Sequence, residues 1–128
     1  MEELKYIPGD LVIINDKLCS IEYIFMDDEY GLQDMDGYIH FANVTEIKPI
    51  SIIPTILEAN RWETQNKWYY FLSINKYSIR YIGIDFEHKS PKGNLYVEIN
   101  NDNVAEIQYC HQLQHLLFGL NLNSELKI

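Results

Sequence analysis

Short apolar runs separated by turn residues dominate the first 48 residues. Leu11–Ile14 is the first run, and over residues 18–26 apolar side chains recur at every second position, namely Cys19, Ile21, Tyr23 and Phe25. A period of two is typical of a strand that buries one face. We therefore expect these four side chains to share the buried face of one strand.

Turn signals bound the strands that follow. Asp27 and Asp28 predict a turn before a strand at 29–33, and Asp36-Gly37 predicts a hairpin into a strand at 38–44. Four or five closely spaced strands without a helical pattern favour a small barrel or a curled meander. The sequence thus predicts an SH3-like β-barrel over residues 1–48.

Residues 48–54 mark the predicted junction with a second subdomain. Two prolines and three isoleucines make this segment too apolar for a free linker, so we expect it to be packed. Pro54 suits the first turn of a helix, because a proline loses no hydrogen bond there. We expect this helix to end near Asn60.

From Trp62 onward the apolar period is again two. It predicts strands at 68–74 and 77–86 around a turn at Asn75-Lys76, then strands at 95–99 and 104–108. Within 77–86 the apolar positions change from odd to even numbers around Gly83. A glycine at such a change predicts a bulge or bend.

The last predicted element is a helix over residues 110–120. An arc of about 100°, the width of a core-facing stripe, contains Tyr109, Leu113, Leu116, Leu117 and Leu120. His111 and Phe118 lie near the opposite side, where they predict either an exposed aromatic or packing against the N-terminal barrel. The predicted fold is α+β: the SH3-like barrel of residues 1–48 shares one interface with residues 49–128, which comprise a helix, an antiparallel sheet of three to four strands and the C-terminal helix.

The formal net charge of −9 is unevenly distributed. Residues 1–50 contain 11 acidic and 3 basic side chains, whereas residues 51–128 contain 8 and 7. The acidic surplus disfavours duplex DNA and anionic membranes as partners. It indicates either a solvated acidic face or a patch for a basic protein partner, for which Asp27, Asp28 and Glu29 are the candidates.

The absence of targeting signals and the spacing of the two cysteines predict a cytoplasmic protein. The chain has no apolar run of membrane-spanning length and no signal-peptide pattern at its N-terminus. Cys19 and Cys110 form no CxxC pair, so we expect two buried thiols.

Candidate chemistry is sparse. His111 and His115 share a helix face at a spacing of four, but Gln112 stands where a metalloprotease helix carries glutamate, and further ligands are missing. We therefore predict no metal and no cofactor, and assign His111, His115 and Phe118 to a candidate interaction face. No nucleophile-elbow, phosphate-loop or dinucleotide motif is present, so we expect no enzymatic activity.

Residues 67–92 interleave aromatic and basic side chains. Bases stack on aromatic rings and phosphates attract cations, so this segment is a candidate surface for single-stranded nucleic acid. Its candidate contacts are Lys76, Tyr77, Arg80, Lys89 and Lys92. The competing interpretation is that these aromatics only fill the core of a sheet.

Three segments of the chain resemble sequence patterns that occur together in one protein family. Residues 49–62 are similar to P-I-P-L-T-P-E-I-L-E-K-N-G-F, residues 109–120 to Y-V-H-Q-L-Q-N-L-Y-F-A-L, and residues 6–12 to L-R-x-G-N-x-V. These patterns belong to a family of small uncharacterised proteins from phages, prophages and mobile elements of gut Bacteroidales. Where that family has Thr and Gly, this chain has Ile53 and Arg61. The first helix therefore lacks a side-chain N-cap, and Asn60 is expected to take any left-handed turn.

The resemblance implies a phage or mobile-element origin and a small intracellular accessory protein, without implying an activity. Our leading prediction is a non-enzymatic module that binds an unidentified protein through its acidic barrel. The alternative is single-stranded nucleic-acid binding through residues 67–92. The sequence does not decide between a monomer and a homodimer, and a homodimer would place Phe118 in the contact between the two copies.

Overall fold

The computed structural model describes residues 6–26 and 28–127, which contain two antiparallel sheets and two α-helices. Contacts between residues divide the chain into two compact units. Residues 1–51 and 109–126 form the first unit, and residues 52–108 and 127–128 form the second. The predicted α+β class is confirmed. Within the described ranges, no helix is both long and apolar enough to cross a membrane.

The first unit contains a sheet with the strand order β4-β3-β2-β1-β5. Its strands are β1 (Leu11–Ile14), β2 (Lys17–Ile24), β3 (Glu29–Asp34), β4 (Ile39–Asn43) and β5 (Lys48–Pro49). A 3₁₀ turn over Val44–Glu46 connects β4 to β5. In the part of the chain described, the two edge strands β4 and β5 do not pair with each other, so the sheet is open.

Apolar side chains on one face of this sheet form the core of the first unit. The alternation of β1 and β3 places every second side chain on that face. The buried cluster consists of Tyr6, Val12, Ile14, Cys19, Ile21, Tyr30, Leu32, Ala42 and Ile47. The expectation that both cysteines are buried thiols is confirmed, because Cys19 and Cys110 are free and fully buried.

The alternation predicted for the second strand is wrong beyond Ile21. Ile21 pairs with Leu32, but the next residue in register with β3 is Tyr23, which faces Gly31. Glu22 is therefore an extra residue on β2, and a bulge of this kind reverses the orientation of the side chains that follow. Cys19 and Ile21 are buried as predicted, whereas Tyr23 is exposed.

Helix α2 (Cys110–Gly119) belongs to the first unit, although the sequence analysis placed it in the subdomain of residues 49–128. The physical reason lies in Gln114, which is buried. Its Oε1 accepts a hydrogen bond from Leu11 N at 3.0 Å. Its Nε2 donates to Gly9 O at 2.9 Å. The helix thus supplies hydrogen-bond partners for the backbone at the start of β1, and periodicity alone does not reveal such polar pairing.

The second unit begins with helix α1 (Pro54–Ala59) and continues with a five-stranded sheet in the order β10-β9-β8-β7-β6. Its strands are β6 (Glu63–Thr64), β7 (Tyr69–Lys76), β8 (Ile79–Asp85), β9 (Leu95–Ile99) and β10 (Asp102–Ile107). The sequence predicts three to four strands, whereas the sheet has five, because the two-residue strand β6 also pairs with β7. A strand of that length carries no periodic signal.

Gly83 forms no bulge, contrary to the sequence analysis. It pairs in regular register with Phe71 on β7 and with Glu98 on β9. A Cβ atom at this position would overlap the Tyr69 hydroxyl and lie 2.6 Å from Tyr69 Cζ. Glycine is required here because the Tyr69 ring lies across the strand.

Two turns also differ from their predictions. The β7–β8 turn consists of Tyr77 and Ser78, with φ of 51° and 69°, rather than Asn75-Lys76. After α1, Arg61 takes the left-handed conformation at φ 67°, whereas Asn60 has φ −104°. The Asn60 side chain is used otherwise: its Nδ2 donates to Ile56 O at 2.7 Å, and its Oδ1 accepts from Lys127 N at 2.7 Å.

Candidate functional site

Three exposed aromatic rings lie together on the outer side of the first sheet. Tyr23, Gly31 and Phe41 occupy one row across β2, β3 and β4, and Phe25 follows just beyond β2. The ring centroids of Tyr23 and Phe25 are 6.2 Å apart, and those of Phe25 and Phe41 are 5.9 Å apart. We call the surface formed by Tyr23, Phe25 and Phe41 the aromatic face.

Gly31 allows these rings to cross the sheet. A Cβ atom at Gly31 would lie 3.0 Å from Tyr23 Cδ2 and 3.4 Å from Phe25 Cε2. The missing side chain therefore leaves room for the Tyr23 and Phe25 rings beside β3. Ile39 is exposed and stands two residues before Phe41 on β4, so it extends the same apolar surface.

Acidic side chains border the aromatic face. Glu29 pairs with Asn43 next to the Gly31–Phe41 pair, and residues two apart on a strand share a face. Glu29 is exposed, as is Glu22 at the bulge. Asp28 is exposed too, and its carbonyl accepts a hydrogen bond from Val44 N at 2.9 Å. The predicted candidate Asp27 lies outside the described residues.

Two acidic residues among the first 50 are buried and accept hydrogen bonds inside the first unit, so they do not contribute to an acidic surface. Asp10 is 1% exposed, and its Oδ2 accepts hydrogen bonds from Ile7 N and His115 Nε2, each at 2.8 Å. Burial raises the pKa of Asp10 above its ordinary value, and those hydrogen bonds oppose the rise. Asp34 Oδ1 accepts from Tyr38 N at 3.0 Å across the hairpin turn. Neither carboxylate belongs to an external patch.

The three candidate residues on α2 do not form one surface. His111 is 2% exposed, and its ring centroid lies 4.9 Å from that of Tyr6. Burial lowers the pKa of His111 to about 4, so the ring is neutral near pH 7. His115 is half-buried beside Asp10, and Phe118 is 70% exposed. The opposite side of the helix thus combines interior packing at His111 with an exposed aromatic at Phe118.

The five candidate contacts for nucleic acid lie at separate places in the second unit. Lys76 and Tyr77 stand at the β7–β8 turn, where Lys76 Nζ is 5.0 Å from the centroid of the Tyr77 ring. Arg80 shares the parity of buried Ile82, so it lies on the other side of β8 from Tyr81. Lys89 and Lys92 belong to the exposed loop between β8 and β9.

A pocket of about 500 Å³ occupies the outer face of the second sheet. Four aromatic side chains line it: Trp68, Tyr69, Phe71 and Tyr81. The polar lining consists of Asp85, His88, Glu98 and Asn101. None of the four predicted nucleic-acid cations lines this pocket. We call it the aromatic pocket.

Sequence reasoning missed the aromatic face of the first unit, whereas the candidate surface of residues 67–92 contains the four aromatic residues of the aromatic pocket. On β4 the larger apolar residues Ile39 and Phe41 alternate with His40 and Ala42, so size alone predicts that Phe41 is buried. In the structure Ala42 is 5% exposed and Phe41 is 72% exposed. The glycines at 31 and 83 are the available signal, because each marks a place where an aromatic ring crosses a strand.

Comparison with known proteins adds no assignment. No family model matches the chain, and no curated protein or solved structure shows significant similarity to it.

Proposed function

We propose that the first unit is a protein-docking module that binds a basic, partly apolar segment of another protein on its aromatic face. The observation that carries this proposal is the row of exposed rings over Gly31. Tyr23, Phe25 and Phe41 are 56%, 45% and 72% exposed. Clustered exposed aromatics with polar borders are typical of protein interaction sites, in which aromatic residues carry much of the binding energy.

Charge argues for a basic partner. Among the described residues of the first unit, Lys17 and Lys48 are the only lysines or arginines, whereas Glu22, Asp28, Glu29 and Glu46 are all exposed. A positively charged segment gains electrostatic attraction near such a surface, both in encounter rate and in specificity. A second copy of this chain is a poorer occupant, since it would bring the same negative charge to the contact.

We also propose that this unit is an SH3-like barrel in its strand connectivity. The order β4-β3-β2-β1-β5 and the 3₁₀ turn before β5 support that description. A phage or mobile-element origin and a cytoplasmic location belong to the same proposal, and the three resembling segments and the two free thiols support them.

Selection from a library of random short peptides tests the proposal. The full chain is immobilised, bound peptides are sequenced, and the tightest one is synthesised. We expect the selected peptides to be enriched in lysine or arginine together with aromatic or aliphatic residues. Selection of acidic peptides, or of none, would contradict the proposal. Binding of a single-stranded oligonucleotide at residues 67–92, without selection of basic peptides, would favour the nucleic-acid alternative instead.

A pair of charge reversals locates the peptide on the surface. Glu29→Lys changes the border of the aromatic face, and Glu106→Lys makes the same change of net charge on exposed β10 of the second unit. We expect Glu29→Lys to weaken the binding of the synthesised peptide by about fivefold, because charges at the border of an interface contribute on the order of 1 kcal/mol. Equal effects of both variants would show that only the overall charge matters.

A further inference from the structure

The aromatic pocket of the second unit has the size and the lining of a small-molecule site. Its volume of about 500 Å³ lies in the range usual for such sites, and it lies on the outer face of the five-stranded sheet. Trp68 contacts Tyr69 edge to face, with ring centroids 6.2 Å apart. The Tyr69 ring lies across Gly83, which pairs with Glu98. The aromatic walls are therefore held by the sheet itself.

Two of the four polar residues that line this pocket, Asp85 and Glu98, are acidic. Glu98 Oε2 accepts a hydrogen bond from Tyr69 Oη at 2.8 Å. Asp85 Oδ2 lies 2.9 Å from His88 Nδ1, and Asp85 Oδ1 accepts from the backbone N–H groups of Glu87 and His88. Tyr81 Oη donates to Asn101 Oδ1. No lysine or arginine is among the residues that line the pocket.

His88 is the one lining residue that can carry a positive charge, and it is already paired. The hydrogen bond and the charge of Asp85 raise the pKa of His88 above its ordinary value. The His88–Asp85 pair balances the charge of Asp85. Among the lining residues, the negative charge of Glu98 is then not balanced by a positive one. A phosphate or carboxylate ligand would meet this charge at close range, so anions are disfavoured.

We propose that the aromatic pocket binds a small organic cation through a quaternary ammonium or alkylammonium group. The electron-rich faces of Trp, Tyr and Phe attract such cations. Glu98 adds a negative charge at the pocket wall. The two features reinforce each other only for a cationic ligand, because a neutral aromatic ligand would gain nothing from Glu98. This inference concerns the second unit and is independent of the docking module.

The experiment compares two probes that differ only in charge. Choline and its neutral isostere 3,3-dimethyl-1-butanol are titrated separately into the full chain, and binding is followed through the indole N–H resonance of Trp68 in two-dimensional NMR spectra. We expect choline to bind about tenfold more tightly than the isostere, which corresponds to one strong cation–π contact. Equal affinity for both probes, or no response to choline, would overturn the proposal.

The variant Glu98→Gln tests the charge of Glu98 while it keeps the hydrogen bond that the side chain accepts. Glutamine keeps an oxygen that can accept the Tyr69 hydroxyl hydrogen bond, so the variant loses the charge without losing the acceptor. We expect choline affinity to fall about fivefold in Glu98→Gln and to stay unchanged in Glu106→Gln, which lies on β10 outside the pocket. An unchanged affinity in Glu98→Gln, with chemical shifts elsewhere like those of the wild type, would refute the role of the carboxylate.

A third arm distinguishes the source of the ammonium group. A short peptide with trimethyl-lysine and the same peptide with unmodified lysine are titrated under the same conditions. Tighter binding of the trimethylated peptide than of choline would support a protein-borne ammonium, and tighter binding of choline a free one. Binding of single-stranded oligothymidine at the Trp68 resonance without any response to choline would contradict the proposal and identify the pocket as a base-stacking site.

Discussion

At the scale of single residues, Gly83 is the most constrained position of the second sheet. The Tyr69 ring occupies the space of a side chain there, with Cζ 2.6 Å from where a Cβ atom would stand. We expect Gly83→Ala to lower the free energy of unfolding by about 1–3 kcal/mol, because either the ring or the strand must shift. Urea denaturation followed by circular dichroism measures this change.

Gly119 provides the matched control for that variant. It is the last residue of α2, and a Cβ atom there would meet no neighbour within 4 Å. We expect Gly119→Ala to leave the free energy of unfolding unchanged or to raise it by up to about 1 kcal/mol, as alanine does in helices. An equal loss of stability in both variants would contradict a specific role of the Tyr69 ring at position 83.

His111 makes stability depend on pH. Burial holds its pKa at about 4 in the folded protein, against roughly 6.5 in an unfolded chain. As the pH falls below about 6.5, the unfolded state binds a proton before the folded state does, so folding weakens. Between pH 7 and pH 5 this amounts to about 2 kcal/mol. Urea denaturation at both pH values measures it.

His111→Phe isolates this contribution. Phenylalanine fills similar space between Tyr6 and Tyr109 and carries no titrating group. Asp10, whose raised pKa acts in the opposite direction, is present in both proteins and cancels in the comparison. If His111→Phe loses as much stability between pH 7 and pH 5 as the wild type does, His111 is not the titrating group.

At the scale of elements, the β7–β8 turn contains two residues whose types disfavour the backbone conformation that the turn requires. Tyr77 and Ser78 both have positive φ, a conformation that asparagine and glycine adopt readily. We expect the double variant Tyr77→Asn/Ser78→Gly to raise the free energy of unfolding by about 1 kcal/mol. Tyr77 is 70% exposed, so the change removes little packing beyond its contact with Lys76.

Tyr77→Ala is the control for the turn. It removes the aromatic ring while leaving a residue that is strained at positive φ. Thermal denaturation of the three proteins should therefore rank the double variant above the wild type and Tyr77→Ala below or equal to it. A double variant less stable than the wild type would mean that Tyr77 contributes more through its ring than it costs through its backbone.

Most elements of this fold are predictable from the sequence, whereas their faces and partners are only partly so. Periodicity and turn residues locate β1, α1, β9 and α2 almost to the residue. They fail at Glu22, because one inserted residue reverses the side-chain alternation without changing the apolar count. They also fail for Gln114, whose hydrogen bonds to Gly9 and Leu11 join positions more than a hundred residues apart.

At the scale of the whole molecule, the uneven charge acquires a more specific meaning. The sequence localises the acidic surplus to the first 50 residues. The structure separates that surplus into interior carboxylates, such as Asp10 and Asp34, and exposed ones, among which Glu22 and Glu29 border the aromatic face. Charge alone therefore did not identify a site. The site follows from exposed rings whose position depends on a bulge and a glycine.

The most direct test of the docking module compares two exposed phenylalanines of the first unit. Phe41 on the aromatic face is 72% exposed, and Phe118 on α2 is 70% exposed, so each can be replaced by serine at similar cost to folding. Affinity for the selected basic peptide is measured by calorimetry. We expect Phe41→Ser to weaken binding at least about tenfold, as loss of a central aromatic contact does, and Phe118→Ser to leave it unchanged. Equal affinities of the two variants would contradict the account.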